Sequence, residues 1–402
     1  MAQRHRGETL VRLKPAREKS LRHHHPWLFS GAIQSVDDSP GVGDTVAIVS
    51  DDGAFLARAA YSPASQIRAR VWSFDPEEMI DAAFFTRRVQ QAVQARSSML
   101  DSRHTACRLI HGEADGLPGV IADRYGEVIV LQLSSAGAER WRDAIVAALV
   151  DATRAACVYE RSDLEVRALE GLPLRAGPLL GNAPEDVVMI EDGLRYRVDV
   201  VAGQKTGFFL DQRDNRAAIR AVAANRRVLN MFCYTGGFTL AALAGGAREV
   251  LSVDSSAEAL SLARENVVRN PELPQDRAQW READAFGELR RLRDAGASFD
   301  LIVLDPPKFA PTAHHVERAA RAYKDINLLA LKMLRRDGLL ATFSCSGGVD
   351  ALLFRKIVAG AAADARADAV IERSLSASRD HPVSIAFPEG EYLKGLLLRR
   401  TA

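Results

Sequence analysis

From about residue 190 onward, short apolar runs of strand length alternate with helical segments, and this alternation most restricts the fold. The runs are Arg227 to Phe232, Glu249 to Asp254, Gln279 to Asp284, Phe299 to Leu304, Leu339 to Ser344, Val370 to Arg373 and Tyr392 to Leu398, after a hairpin-like stretch from Val188 to Val198. Strands separated by helices imply parallel crossovers, so the expected architecture is a doubly wound, Rossmann-like α/β sheet. Such sheets bind ligands beyond the carboxyl ends of their strands. The residues that follow each run are therefore the first candidates for chemistry.

The chain has 402 residues. At roughly 150 residues per domain this predicts two to three domains. We expect boundaries at 1–75, 76–190 and 191–402. The first region holds short strand-like pieces divided by Ser39-Pro40-Gly41 and Asp51-Asp52-Gly53, and reads as a small β-barrel. The second reads as α+β: a helix over 80–100, strands at 119–124 and 127–132, a helix over 137–155 and a strand near 156–160. The Gly-, Pro- and Leu-rich stretch 171–184 reads as a connector.

Composition is ordinary for a globular protein, 47% hydrophobic and 26% charged, with a net charge of +1. Charge is uneven, however. Arg4, Arg6, Arg12, Lys14, Arg17, Lys19 and Arg22 face only Glu8 and Glu18 at the start of the chain. A basic patch of this kind suits a phosphate backbone, with Arg12, Lys14 and Arg17 as candidate contacts, although a solvated arm has the same composition. The four cysteines form no CxxC pair and no disulfide framework, which fits a reduced compartment. With no apolar run of membrane-spanning length and no signal-peptide pattern, a cytoplasmic location and no membrane partner are expected. Adjacent histidines at 23–25 point in different directions, so no metal site is expected.

The first strand of the α/β region ends in Asn230-Met231-Phe232-Cys233-Tyr234-Thr235-Gly236-Gly237-Phe238. Its glycines let backbone approach a ligand at the start of a helix. This is not the GxGxxG fingerprint of dinucleotide sites, which weighs against a nicotinamide oxidoreductase. Asp254 and Asp284 end the next two strands, placed for ribose hydroxyls and an adenine edge. Each also precedes a helix that it can cap. Carboxylates repel phosphates, so a nucleoside without phosphates fits better, and S-adenosyl-L-methionine is the common cofactor of this kind. The candidate cofactor residues are Asn230, Phe232, Gly236, Asp254, Asp284 and Asp305. The polar loop at Lys205, Thr206, Gly207 and Phe208 is a candidate to close over the ligand.

Asp305-Pro306-Pro307-Lys308-Phe309 follows the fourth strand, and Cys345 follows the fifth within Ser344-Cys345-Ser346-Gly347-Gly348. The prolines stop the strand and hold Asp305 rigidly, leaving Lys308 and Phe309 at the crevice mouth, where Phe309 suits stacking on an unstacked base. Thiolates are the reactive form of cysteine. A thiolate that adds to carbon 6 of cytosine makes carbon 5 nucleophilic enough to take a methyl group, while a carboxyl at ring nitrogen 3 stabilises the adduct. Methylating a guanine or adenine nitrogen needs the acid-proline turn but no thiol. Both readings stay open on these residues, as does an RNA-binding assembly factor with an inactive methyltransferase domain.

The chain resembles the bacterial 23S rRNA large-subunit methyltransferases with an N-terminal PUA domain that make 5-methylcytidine. The likeness rests on residues 10–14, 25–33, 112–119, 204–213 and 305–309, and runs over nearly the whole chain. It implies a PUA-like RNA-binding barrel over 1–75, a middle α+β domain over 76–190, and a class I methyltransferase domain over 191–402. It also implies S-adenosyl-L-methionine as cofactor, and 23S rRNA or a large-subunit assembly intermediate as partner, with a homodimer left open. By resemblance, Cys345 is the nucleophile and Asp305 its partner; Pro306, Pro307, Lys308 and Phe309 are the candidate substrate-binding residues. Two-cysteine cytosine methyltransferases carry a second cysteine after the proline of the fourth-strand motif. Here Pro307 and Lys308 occupy that region, so enzyme release must rest on another base.

Overall fold

The computed structural model describes residues 8–182, 185–309 and 316–402, so Arg4 and Arg6 lie outside the described residues. The chain divides into two compact units. The first comprises the chain up to Ile190 together with Val198–Leu210 and Asp380–Gly390; the second comprises Glu191–Arg197, Asp211–Arg379 and Glu391–Ala402. Among the described residues no helix is long and apolar enough to cross a membrane.

The first unit contains two sheets. Six strands run in the order Trp27–Phe29, Ile67–Ser73, Phe55–Tyr61, Thr45–Val49, Leu10–Leu13 and Ile33–Val36, forming an N-terminal β domain. Alternate residues such as Val11, Leu13, Val46 and Ile48 are wholly buried in its core. A second, five-stranded sheet runs Arg175–Leu180, Cys157–Ser162, Val128–Leu133, Val120–Tyr125 and Ala106–His111. Helices Ala82–Arg96 and Arg142–Thr153 belong to the same layer system. Asp81 starts the first of them by accepting a hydrogen bond from the Phe84 amide at 2.8 Å. The stretch read as a connector over 171–184 instead contains the edge strand Arg175–Leu180. Pro178 pairs opposite Tyr159 there, and an edge tolerates proline because one side of the strand needs no donors.

Side chains of the first sheet reach the helical segments that flank the second. Arg70 of the first sheet donates to Glu170 at 2.7 Å with both groups buried, and Trp72 packs edge-on to Phe85 at 5.1 Å. The later segment Asp380–Gly390 is tied to this unit by Asp380, which accepts from the Arg108 amide at 2.9 Å, and by Phe387 against Trp27 at 4.7 Å. Its membership in the first unit was not anticipated from sequence.

His111 sits in this network beside Arg108, His381, Arg96 and Asp380. Burial, and then the Arg108 charge, push its pKa down to about 2. The unfolded chain takes up that proton near the ordinary 6.5 and the folded chain does not. Stability is therefore full above about pH 7 and falls as pH drops below 6.5, by about 2 kcal/mol at pH 5. His111→Gln is expected to remove most of that slope in urea unfolding at pH 5 against pH 8. An unchanged slope would assign the acid sensitivity elsewhere.

The second unit is built on a seven-stranded sheet: β1 (Arg227–Met231), β2 (Glu249–Asp254), β3 (Ala278–Glu282), β4 (Phe299–Leu304), β5 (Leu334–Ser344), β6 (Ala369–Ser376) and β7 (Lys394–Arg400). The spatial order is β3-β2-β1-β4-β5-β7-β6. The helices are α1 (Arg213–Val222), α2 (Gly237–Ala244), α3 (Ala257–Val268), α4 (Ala285–Asp294), α5 (Val316–Met333) and α6 (Ala351–Ala365). Strands β1 to β5 are parallel, as their alternation with helices predicts. The expectation of parallel crossovers throughout fails at β7, which is antiparallel to both β5 and β6. The connection from β6 to β7 carries only the short turn Pro388–Gly390 in place of a crossover helix. The chain therefore returns in the opposite direction and inserts between β5 and β6. Leu229, Ile302, Leu304 and Leu340 are fully buried against Tyr323, Ile326 and Phe354 of α5 and α6. At about 1.5–3 kcal/mol per buried aliphatic side chain, this layer holds the strand ends rigidly.

Candidate active site

The loop after β1 is bent by three left-handed residues, Phe232 (φ 60°), Tyr234 (φ 47°) and Gly236 (φ 85°). Gly236 pays no Cβ penalty there, but Phe232 and Tyr234 do, and such conformations gather where backbone is shaped for a ligand. The bend is held from the neighbouring strand. Asp254 accepts from the Tyr234 amide at 2.8 Å with one oxygen and from the Ser256 amide at 3.0 Å with the other. A carboxylate has about four acceptor positions, so Asp254 retains two beyond these bonds. Asp284 is exposed and caps α4 through the Gly287 amide at 2.7 Å, so the helix-cap reading holds and one oxygen remains.

Asn230 departs from its expected place. It is 1% exposed and donates to Thr239 of α2 at 3.0 Å, so its side chain packs against the helix that follows the loop. Its Oδ1 and the Thr235 hydroxyl are buried acceptors without a partner among the described residues. Acids at the rim and orphaned acceptors beside a bent loop fit a nucleoside that carries a cationic sulfonium and amine, and would repel a phosphate. Cys233 in the same loop is inert, because burial and then Asp254 push its thiol well above the usual range.

Beyond β4, Pro306 is buried while Pro307 and Lys308 are exposed. Phe309 is not free at the crevice mouth. It is partly buried between Tyr323, at 4.8 Å, and Phe286, at 5.8 Å, because the apolar ring completes the core under the turn. Asp305 accepts a hydrogen bond from Gln212 Nε2 at 2.9 Å. Gln212 Oε1 accepts in turn from Asn215 at 2.6 Å, and Asn215 also donates to the Ser376 carbonyl at 2.9 Å. Gln212 and Asn215 are each 2% exposed, so this chain fixes which end of the glutamine amide meets Asp305.

Beyond β5, the Cys345 thiol lies 3.9 Å from the Pro306 carbonyl oxygen. The thiol therefore touches the backbone of the acid-proline turn, because β4 and β5 are adjacent in the sheet. Cys345 is partly exposed, whereas Cys107, Cys157 and Cys233 are buried. Three residues that strand-end reasoning did not single out hold this arrangement. The Tyr323 hydroxyl, from the middle of α5, sits 3.0 Å from the Ser346 hydroxyl, and burial raises its pKa so that it stays a neutral phenol. Lys394, at the start of β7, donates to the Ser346 carbonyl at 2.9 Å. Gln212 reaches Asp305 from just before α1. Their roles come from crossing elements, and only the polar stretch 204–216 gave a local signal for any of them.

The loop residues Lys205, Thr206, Gly207 and Phe208 belong to the first unit. Thr206 is fully buried and donates to Asp123 at 2.6 Å, and Asp123 is paired with Arg108. Gly207 has φ 124°, and a Cβ there would come within 2.6 Å of Val198 Cγ1. Phe208 is buried, while Lys205 is exposed with its ammonium 4.5 Å from the Phe209 ring centroid. Arg12 donates to the Ser50 and Asp51 carbonyls at 3.3 and 3.1 Å, and Lys14 to the Gly31 carbonyl at 2.9 Å. Lys14 and Arg17 are exposed. Among the described residues no group of histidine, cysteine, aspartate and glutamate could hold a metal ion.

Comparison with known proteins gives the family and the fold. Residues 170–356 match the S-adenosylmethionine-dependent methyltransferase family, and residues 11–74 match a PUA-like domain. The chain is 51% identical to the ribosomal RNA large subunit methyltransferase I of Cronobacter sakazakii, over 95% of this chain and 97% of that protein. It is 49% identical to the protein of the same name from Shewanella frigidimarina, over 97% and 98%. A solved candidate SAM-dependent methyltransferase from Streptococcus mutans shares the fold over 97% of this chain and 99% of its own, with a TM-score of 0.84 at 24% identity. The chain therefore belongs to the ribosomal RNA large subunit methyltransferase I family, S-adenosylmethionine-dependent enzymes with an N-terminal PUA-like domain.

Proposed function

We propose that this protein methylates carbon 5 of a cytidine in 23S rRNA, in the cytoplasm, through a covalent adduct at Cys345. The observation that carries the reading is the partly exposed thiol 3.9 Å from the backbone of the turn that presents Asp305. A nitrogen methyltransferase has no use for a thiol at that edge. The large-subunit rRNA substrate follows from the names of relatives that match end to end. Naked rRNA and an assembly intermediate both satisfy this reading.

S-adenosyl-L-methionine supplies the methyl group when bound and leaves as S-adenosylhomocysteine. Asp254, with its two remaining acceptor positions, holds the ribose; Phe232 and Gly236 shape the backbone around it, and Asp284 faces the adenine edge. Asn230 acts through the elements it supports around the loop after β1. The target base leaves its stack to enter the crevice. The Cys345 thiolate forms a bond to carbon 6, breaking the carbon 5–carbon 6 double bond, and Asp305 gives a proton to nitrogen 3. Carbon 5 then takes the methyl group. A base removes the carbon 5 proton, the double bond returns, the carbon–sulfur bond breaks, and the proton on nitrogen 3 goes back to Asp305. Pro306, Pro307 and Lys308 border the base, and Phe309 props the turn. Arg12, Lys14 and Arg17 contact the phosphate backbone, which gives affinity without sequence choice.

Mapping modified nucleotides by mass spectrometry in 23S rRNA from a deletion strain is expected to show one cytidine losing its carbon 5 methyl group, restored by the wild-type chain. Loss of a methylated guanine or adenine nitrogen instead would sink the carbon 5 reading.

A further inference from the structure

The least expected group at the crevice is Lys394. It opens β7 opposite Ser344 and is 7% exposed, with its ammonium bonded to the carbonyl that follows Cys345. A buried ammonium is costly without a compensating negative charge. We propose that Lys394 is a positioning residue for the reaction: bonded at 2.9 Å to the Ser346 carbonyl, it sets a positive charge behind Cys345 and favours the thiolate. This rests on the reading of Cys345 as nucleophile.

The nearby Pro306 carbonyl can only accept, so it favours the protonated thiol. Tyr323 also lies near Cys345, and burial keeps its phenol neutral. Burial lowers the Lys394 pKa. Cys345 is the largest of the groups that oppose this, ahead of Glu391 and Asp350, while Lys308 adds to the lowering. Asp350 is already engaged in capping α6 through the Leu353 amide at 2.7 Å. Linkage is reciprocal, so a thiolate that supports the ammonium is supported by it to the same extent. The proton lost from sulfur goes to solvent, and Lys394 keeps its own.

The test is the pH dependence of Cys345 alkylation by iodoacetamide in the full-length protein without RNA, read by mass spectrometry of the peptide that contains it. The wild-type midpoint is expected below about 8.5, the ordinary thiol value. Lys394→Met is expected to raise it by about one pH unit or more, a tenfold change in thiolate fraction at neutral pH, and Lys394→Arg to raise it much less. A wild-type midpoint at or above the ordinary value overturns the proposal without any variant, so it stays testable if Lys394→Met fails to fold. A folded Lys394→Met with the wild-type profile also overturns it. If Cys345→Ala remains active while Lys394 still governs the thiol, the nucleophile reading fails and the charge pairing stands. The reverse result separates the two the other way.

Discussion

Cys345→Ala is expected to abolish methylation, by on the order of 10⁴-fold or more, while S-adenosylmethionine still binds within a few-fold of wild type. Removing a nucleophile that forms a covalent intermediate leaves the barrier of the uncatalysed attack, and such losses reach about 10⁶-fold in well-studied hydrolases. The substitution removes one sulfur at a partly exposed strand end, so the core under β5 is undisturbed. RNA carrying 5-fluorocytidine at the target gives a second readout. Fluorine cannot leave as a proton, so wild-type protein is expected to remain joined to the RNA and the alanine variant is not. Full turnover by Cys345→Ala would move the chemistry to a ring or exocyclic nitrogen, where the acid-proline turn suffices.

Asp305→Asn is expected to lower kcat by about 10²–10⁴-fold, the usual worth of a placed proton donor, with cofactor affinity changed far less. Asparagine keeps the shape but has no proton to give to nitrogen 3. Gln212 sharpens the expectation. Its donated hydrogen bond to Oδ1 holds the Asp305 carboxyl in place. Gln212→Leu removes the bonds to Asp305 and from Asn215, which keeps its bond to Ser376, so a smaller loss of about tenfold is expected, near 1.4 kcal/mol of buried hydrogen bonding. Turnover measured under single-turnover conditions distinguishes these effects from binding. Wild-type turnover in Asp305→Asn would remove Asp305 from proton transfer and leave it a part of the turn.

The strand ends that carry Asp254, Asp305 and Cys345 were legible because the signal is local. An apolar run buries, and the polar residue or proline that follows must leave the sheet at its carboxyl edge. The dual character of Asp284 was legible for the same reason, since an acid before a helix is a cap as well as a candidate ligand. Asn230 was misjudged by the same logic, because alternation along β1 decides which face a side chain takes, and its partner Thr239 lies in a helix that follows.

By itself the sequence determined the succession of strands and helices, the bent glycine loop after β1, and the placing of an acid-proline turn and a thiol on one edge of a parallel sheet. These follow from burial and backbone restriction within a few residues. Tertiary structure alone decided what stands behind them. Gln212 reaches Asp305, Tyr323 reaches Ser346, and Lys394 comes to the Cys345 turn only because β7 enters antiparallel between β5 and β6. That insertion depends on a return connection with no crossover helix, and pairing between strands so far apart in the chain is set by packing energy rather than by any local pattern.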